Sequence, residues 1–302
     1  MPPSPVPARL HILTARTKPV AVVLRRGPTD WFHVLRWDTR TDAVEHGSWF
    51  RGTLYPFRCD LSDDGRHMVY LAMGEKGETW NGVCEPPWLR TLVHWSNEGT
   101  WFGGGLWLSG RRLAVNVGHG VPMNPEGEFT LVYPEPITLP FDLVSQPFPA
   151  GGEDEGVLYR RLERDGWVRR GPFGEDVKLP GNNYRVEHRG DAGWEINRGN
   201  RLPTLHLYYR GYFGGEGRRF EFQCAEFPGV ITPGIRWAAW DCRDQLLVAR
   251  TGRIERWTRE DFKRAEPSFT MDLNGLEPQS TPGIDGEPRA SAGTRAPSPG
   301  DA

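Results

Sequence analysis

Short apolar stretches, each followed by a polar or glycine-containing turn, recur along the chain at a nearly constant interval. They are centred on Val22, Val69, Ala114, Leu158, Leu205 and Leu247. The five intervals between these centres are 47, 45, 44, 47 and 42 residues, with a mean of 45. A four-stranded propeller blade spans about 40–45 residues. The spacing therefore predicts an all-β fold of the β-propeller type.

The text around each centre agrees with a blade of antiparallel strands. Around Val69, "YPFRCDL" precedes the centre as an inner strand and "RTLVHWS" follows as a third strand. The tripeptides "DDG" (63–65) and "RDG" (164–166) supply glycines where tight hairpins need positive φ. The unit at Leu158 has no convincing inner strand and is the weakest of the six.

Length favours six blades over five. Six units of 45 residues would fill 270 residues, and the repeating region 9–276 contains 268. The alternative is five blades with a long insertion, because the segment 134–155, "PEPITLPFDLVSQPFPAGGEDE", is rich in proline and reads as a loop. Ring closure has two solutions: the last blade ends with "SFTMDLN" (268–274), or "RLHILTAR" (9–16) returns to complete it.

The ends of the chain and one short segment depart from the strand pattern. Residues 1–8 are expected to form a flexible N-terminus, and residues 277–302 a disordered tail, because this Pro/Gly-rich text offers too little apolar area to offset the entropy of ordering. The segment "TREDFKRAE" (258–266) predicts a helix of two turns, in which Thr258 and Asp261 approximate a capping box.

Composition narrows the functional classes. The chain has 37 basic and 39 acidic residues and a net charge of −2, which argues against nucleic acid or an anionic membrane as a partner. The arginines of "RRLERDGWVRR" (160–170) are interspersed with acids and are interpreted as a solvated strand face. The sequence contains neither a signal peptide nor an apolar run of membrane length, so a cytoplasmic protein is expected.

Cofactor motifs are absent from the sequence. The four cysteines show no C-x-x-C pair, and the chain lacks the phosphate-binding, dinucleotide and zinc-peptidase signatures. We therefore expect no metal and no cofactor.

One stretch resembles a known class of propellers. The run Asp60-x-Ser62-x-Asp64-Gly65-Arg66 resembles the inner-strand hairpin of WD-repeat and related bacterial propellers, and Trp37-Asp38 resembles their third strand. The whole of 9–276 is similar to an uncharacterised bacterial family of propeller-like proteins, a resemblance that implies a fold and no activity. The chain departs from the eukaryotic pattern, because it has no recurring Gly-His pair and its only other Trp-Asp dipeptide is at 240–241.

Propellers bind ligands at the end of the central channel and on the adjoining loops. On this basis the candidate ligand-binding residues are Asp60, Asn116, His119, Trp194, Glu195, Arg236, Trp240 and Asp241. Each has a structural alternative, since tryptophans pack between blades and aspartates cap their own turns. Convergence of Asp60, Glu195 and Asp241 would suit glycoside hydrolysis, which needs paired carboxyls.

Two functional hypotheses follow. The favoured one is a non-enzymatic scaffold or adaptor that binds another protein, and an exposed apolar patch on one rim would support it. The alternative is binding of a small molecule or carbohydrate at the central channel, with glycoside hydrolysis as a variant, and open tryptophan faces at the channel mouth would support it. A cell-envelope propeller is disfavoured by the missing signal segment.

Overall fold

The computed structural model describes residues 6–27, 29–116, 130–146, 148, 155–170, 176–178, 184–186, 193–199, 202–210, 219–224, 226–228 and 234–278. Within these ranges the strands form five main sheets, arranged as a five-bladed β-propeller. The predicted all-β propeller is confirmed. The propeller has five blades. Six blades were favoured from the sequence, and five were the stated alternative.

Blades 1 and 2 are antiparallel meanders. Blade 1 contains β1 (Arg9–Thr14), β2 (Val20–Arg26), β3 (Trp31–Asp38) and β4 (Ala43–Arg51). Blade 2 contains β5 (Thr53–Leu54), β6 (Asp60–Leu61), β7 (Met68–Met73), β8 (Thr79–Cys84) and β9 (Thr91–Asn97). Both β5 and β6 pair with β7, so the first strand of this blade is interrupted by the 3-10 turn Pro56–Arg58.

Blade 3 departs from the predicted pattern. It contains β10 (Gly105–Ser109), β11 (Arg112–Asn116) and β12 (Asp142–Gln146), and β12 runs parallel to β11. The expected loop 134–155 thus supplies the third strand. The strand-like segment "EFTLVYP" (128–134), which follows the centre at Ala114, is described only from residue 130, and there it makes a single bridge, between Val132 and His94 of blade 2. Pro134 and Pro136 follow at once and lack the N–H groups that a longer ladder needs.

Blades 4 and 5 are again antiparallel. Blade 4 contains β13 (Val168–Arg170), β16 (Gly193–Ile196), β17 (Leu205–Arg210) and β18 (Arg219–Cys224), with the hairpin β14 (Asp176–Lys178) and β15 (Tyr184–Val186) inserted after β13. Blade 5 contains β19 (Trp237–Trp240), β20 (Leu246–Ala249), β21 (Arg253–Trp257) and β22 (Phe269–Asp272). The predicted short helix, α2 (Arg259–Arg264), connects β21 to β22, and its capping box is present.

The unit predicted at Leu158 is a helix, α1 (Glu155–Arg164), and not a blade. Leu158 and Leu162 are buried together with Val157 and Arg161, whereas Arg160 and Glu163 are exposed. Burial at i, i+1, i+4 and i+5 follows the helical period and not the alternation of a strand. This correction accounts for the difference between six repeats and five blades.

Helix α1 occupies the centre of the ring. Its side chains contact every blade, which only an element near the ring axis can do. The contacted residues are His11 of blade 1, Pro56 of blade 2, Trp107 of blade 3, Trp194 of blade 4 and Trp237 of blade 5.

The ring is closed by the first of the two predicted solutions. Segment 268–274 contributes β22 to blade 5, and the N-terminal strand β1 belongs to blade 1. Blades 5 and 1 therefore share no backbone ladder and are joined through side chains. The Thr39 hydroxyl donates to Asp241 at 2.7 Å, and Arg256 binds Asp42 through two hydrogen bonds of 2.8 and 2.6 Å.

We expect Asp42→Asn to lower the free energy of unfolding by about 1–2 kcal/mol, because it replaces a bidentate, partly buried ion pair with neutral hydrogen bonds. Asparagine tolerates the positive φ of 62° at this position, so backbone strain does not contribute. Urea denaturation followed by tryptophan fluorescence measures the change. Glu260→Gln, which removes an exposed pair with Lys263, is the control and should leave the midpoint in place. Equal midpoints for both variants would show that the Asp42 pair does not hold the two blades together.

Candidate functional site

A cavity of about 230 Å³ lies beside the C-terminal half of α1, against β1 of blade 1 and β19 of blade 5. Its walls combine apolar residues, such as Ile12, Ile196 and Trp237, with an unusual number of charged ones. The charged residues that line it are Arg16, Asp60, Arg161, Arg164, Asp165, Arg198 and Asp241. Charge at the centre of a protein needs compensation, so the partners of each group decide what the cavity can bind.

Asp60 and Arg164 form a buried ion pair between blade 2 and α1. Both guanidinium nitrogens of Arg164 engage the carboxylate, with Nη2 at 3.0 Å from Oδ1. The backbone N–H of Trp107 in blade 3 also donates to Asp60 Oδ2, at 2.8 Å. Burial alone would lower the pKa of Arg164, but the carboxylates of Asp60 and Asp165 raise it above its usual value. Both oxygens of Asp60 are therefore occupied by groups of the protein.

Arg161 is a buried cation with a different kind of environment. Its Nη1 donates to the carbonyl oxygens of Pro56 and Cys59, and its Nη2 lies 3.2 Å from Nε2 of His11. Burial, and then the charge of Arg161, lower the pKa of His11 well below its usual value, so this imidazole is neutral and accepts from the guanidinium. Among the described residues, no carboxylate lies within ion-pair distance of Arg161.

Asp165 follows α1 directly and faces the same cavity. Its Oδ1 accepts from Nε of Arg164 at 2.8 Å, and its side chain keeps 28% of its exposure. Burial raises the pKa of Asp165 above its usual value, and nearby Asp60 adds to this, although Arg164 opposes both. This carboxyl group gains a proton more readily than an ordinary aspartate.

Asp241 lines the cavity, but its carboxylate is fully engaged in structural bonds. Oδ1 accepts from the backbone N–H groups of Arg243 and Gln245 at 2.8 and 2.9 Å, and Oδ2 accepts from Thr39. The side chain is 1% exposed. Asp241 thus caps its own turn and ties blade 5 to blade 1.

Of the residues predicted from the sequence, Asp60, Trp240 and Asp241 line this cavity, and four others do not. Asn116, the last residue of β11, joins this strand to the segment after β12, because its Oδ1 accepts a hydrogen bond from the backbone N–H of Phe148 at 3.1 Å. The side chain of Trp194 is buried at 2% exposure, Glu195 binds Arg170 at 3.1 Å, and Arg236 is exposed. The remaining predicted residue, His119, lies outside the described residues.

Glycoside hydrolysis would have been favoured by convergence of Asp60, Glu195 and Asp241, but Glu195 is not among the residues that line this cavity. The tryptophans that line the cavity also lack the open faces that would suit a sugar. Trp240 is 5% exposed and packs near Phe262, and Trp237 is 4% exposed and packs against His11 and Phe222. Their rings fill the core, as expected for most buried aromatic residues.

The most informative side chains of the site, Arg161, Arg164 and Asp165, were not among the predicted residues. They lie in the segment interpreted as a solvated strand face. The spacing of Leu158 and Leu162, four residues apart, was the available signal that this segment is a helix with one buried side.

A second feature lies on the outside of the ring. The exposed large apolar side chains are concentrated on blades 2 and 3 and their connections, with only Val6 and Val168 elsewhere in the described chain. We call five of them the outer apolar surface: Trp88, Trp101, Val132, Tyr133 and Ile137. The bridge between Val132 and His94, with N···O distances of 2.8 and 2.9 Å, fixes part of this surface along β9, the outermost strand of blade 2.

Within the described ranges, no group of three or more His, Cys, Asp or Glu residues has a geometry for metal binding. Neither α1 nor α2, the helices in that part of the chain, has the length and apolarity to cross a membrane.

Comparison with known proteins identifies no family. No family model and no curated protein matches the chain. A crystal structure of an uncharacterized protein from Listeria monocytogenes EGD-e matches with 10% sequence identity and a TM-score of 0.29, over 88% of this chain and 83% of that one.

Proposed function

We propose that this protein is a non-enzymatic propeller, with WD-repeat-like blades, that acts as a scaffold or adaptor for another protein in a bacterial cytoplasmic assembly. The observation that supports the proposal is the outer apolar surface. Isolated exposed apolar residues are ordinary, but these five all belong to blades 2 and 3 and their connections, within residues 88–137, and grouped exposed apolar side chains are typical of a protein-binding surface. Tryptophan and tyrosine, which supply three of its five side chains, are enriched in the energetic centres of protein interfaces.

The underlying blade is suited to hold such a surface rigidly. Beneath it, Val93 and Trp95 of β9 are buried against Val69 and Val83, and Leu131 and Leu139 pack partly against the same cluster. Close packing keeps the exposed side chains in place before a partner arrives, which lowers the entropy cost of binding.

The test is capture of partners from the native host by the tagged protein, compared with the double variant Trp88→Glu/Tyr133→Glu. We expect a stoichiometric protein partner with the unmodified chain and at least a tenfold loss with the double variant, because each aromatic anchor contributes about 2 kcal/mol or more at an interface centre. Val168→Glu, which alters an exposed apolar side chain on blade 4, is the control and should retain the partner. Capture that survives the double variant would place the interface elsewhere. Failure of the unmodified chain to capture any protein would contradict the proposal.

A second candidate function is binding of a small molecule in the central cavity. It is favoured by the charged groups that converge there from five parts of the chain: α1 with the residue after it, β6, and the residues that follow β1, β16 and β19. We propose binding and not glycoside hydrolysis, since Asp60 and Asp241 commit their oxygens to Arg164, Thr39 and backbone N–H groups. The closed tryptophan faces also make a carbohydrate a poorer ligand than a charged molecule.

A further inference from the structure

We propose that the central cavity binds a small oxyanion, a carboxylate or a phosphate, through the guanidinium groups of Arg161 and Arg198. This inference rests on the second candidate function, namely that the cavity is a ligand site. It adds the chemical class of the ligand and the residues that recognise it.

Two of the three carboxylates of the wall do not favour a cationic ligand, and the third, Asp165, is already paired with Arg164 through Oδ1. Asp60 is paired with Arg164, and Asp241 accepts three hydrogen bonds from the protein. Their acceptor positions are occupied, so a ligand ammonium or a metal ion would have to break an existing buried bond. Breaking such a pair leaves an uncompensated buried charge, which is strongly unfavourable.

The positively charged groups, in contrast, can still donate hydrogen bonds to a ligand. Arg161 is 4% exposed, its hydrogen bonds go to carbonyl oxygens and a neutral imidazole, and it lies over the ring of Trp237. The carboxylates of Asp60 and Asp165 act on its charge from a distance, without a direct ion pair. A guanidinium carries five N–H donors and remains charged in proteins. An oxyanion in the cavity would supply a directly bonded counterion, and charge-assisted hydrogen bonds to guanidinium are the stronger class.

Arg198 adds a second guanidinium closer to solvent. Its side chain keeps 35% of its exposure, and its Nη1 forms an ion pair with Asp244 at 3.7 Å, which is longer than a hydrogen bond. Turning Arg198 toward a ligand would therefore break a weak, partly exposed ion pair. Arg16, at the same cavity, is already bound to Asp63 through Nε at 2.6 Å and is not expected to contribute in the same way.

The size of the cavity limits the ligand. A volume of about 230 Å³ corresponds to roughly eight water molecules of about 30 Å³ each. This is below the usual range for drug-sized ligands. It suits a molecule of about ten non-hydrogen atoms, such as a dicarboxylate or a phosphorylated three-carbon compound.

Asp165 makes the expected binding dependent on pH. Its carboxylate faces the cavity, so an incoming anion would repel the ionised form and favour the protonated one. Binding of the anion then favours uptake of a proton by Asp165, so affinity rises as the pH falls over the range in which the ligand keeps its own charge. The groups around Asp165 that set this response are Arg164, Asp60 and Arg161.

The experiment is isothermal titration of the full chain at low salt with two matched pairs of probes: succinate against succinamide, and glycerol 3-phosphate against glycerol. Within each pair the skeleton is similar and the charge is removed. We expect binding of at least one anion and no binding of its neutral partner.

Arg198→Gln should weaken the binding of that anion at least tenfold, the size of a lost charge-assisted hydrogen bond. Asp165→Asn should strengthen it and remove the part of its pH dependence that does not come from protonation of the probe itself. Arg51→Gln, which removes an exposed ion pair between Arg51 of blade 1 and Glu75, is the control and should leave anion binding unchanged.

The outcomes separate this inference from the function on which it rests. Binding of succinamide or glycerol as tightly as of the anions would overturn the oxyanion proposal and retain a small-molecule site. Anion binding that Arg198→Gln and Arg51→Gln leave equally intact would place the anion outside the cavity and overturn the inference. If a broad set of charged and neutral metabolites also fails to shift the melting temperature, the cavity is not a ligand site and the second candidate function fails as well.

Discussion

Replacing Arg164 with methionine is expected to lower the free energy of unfolding by about 3–5 kcal/mol, the cost of leaving one member of a buried ion pair without its partner. In the variant, Asp60 would retain only the N–H of Trp107 among its present donors. The carboxylate has a side-chain exposure of only 2%, so it would be left largely buried without its partner charge. Because α1 is joined here to blades 2 and 3, the loss should also loosen the centre of the ring.

Urea denaturation followed by tryptophan fluorescence measures this effect, and Arg160→Met is the matched control. Arg160 is on the same helix, exposed at 57%, and paired only with Glu163. Its replacement should change stability by less than about 0.5 kcal/mol. The double variant Asp60→Asn/Arg164→Met should be more stable than the sum of the single changes predicts, because it removes both charges together. If Arg164→Met were no worse than Arg160→Met, the pair would not anchor the helix in the ring.

Stability is also expected to fall steeply as the pH drops from about 6.5 to 4, through protonation of His33. This side chain is 2% exposed, and its ring stacks on Trp49 with centroids 4.1 Å apart. Burial, followed by the charges of His46 and Arg25, lowers the pKa of His33 from 6.5 to about 4, and the carbonyl of Gly47 opposes this only in part.

The sign follows from the difference between the two states of the chain. In the unfolded protein His33 takes up a proton near pH 6.5, whereas in the folded protein it remains neutral until about pH 4. Between these values the unfolded state binds more protons, so acid stabilises it. The full difference corresponds to about 3 kcal/mol, present above pH 6.5 and lost by pH 4. Burial lowers the pKa of His11 and His67 as well, so they act in the same direction.

Denaturant unfolding at pH 7.5 and at pH 4 tests this, with His33→Phe as the informative variant. Phenylalanine preserves a ring against Trp49 and cannot be protonated, so the loss of stability between the two pH values should shrink by about 3 kcal/mol. His206→Gln, at a half-buried position on blade 4, should retain the full loss. An unchanged loss in His33→Phe would assign the acid sensitivity to other groups.

The repeat itself was a reliable guide to architecture because it reports local pairing. Five of the six predicted centres lie in the strands β2, β7, β11, β17 and β20. Short hairpins are specified by neighbouring residues, so the alternation of apolar strands and turns is visible without tertiary information. The strand predicted at Leu158 was wrong because a short apolar run is compatible with both a strand and a helix. The regular interval of the repeat favoured the strand.

The functional residues were harder to predict for a related reason. The site depends on where α1 lies, and its position depends on contacts with five blades that are distant in sequence. Arg164 reaches Asp60 across 104 residues and Arg161 reaches His11 across 150. The alternation of charges in 160–170 is compatible with a solvated surface, and only the ring around the helix turns two of its arginines inward.

The amino-acid sequence by itself determined the strand repeat, the short capped helix α2 and the absence of the common catalytic motifs, since each is specified by residues close together in the chain. The tertiary structure alone decided the number of blades, the closure of the ring through side chains and the charge balance of the central cavity. These properties depend on which groups are removed from water together. Burial is a property of the packed ring, and it converts an ordinary surface arginine into a buried cation that needs a partner.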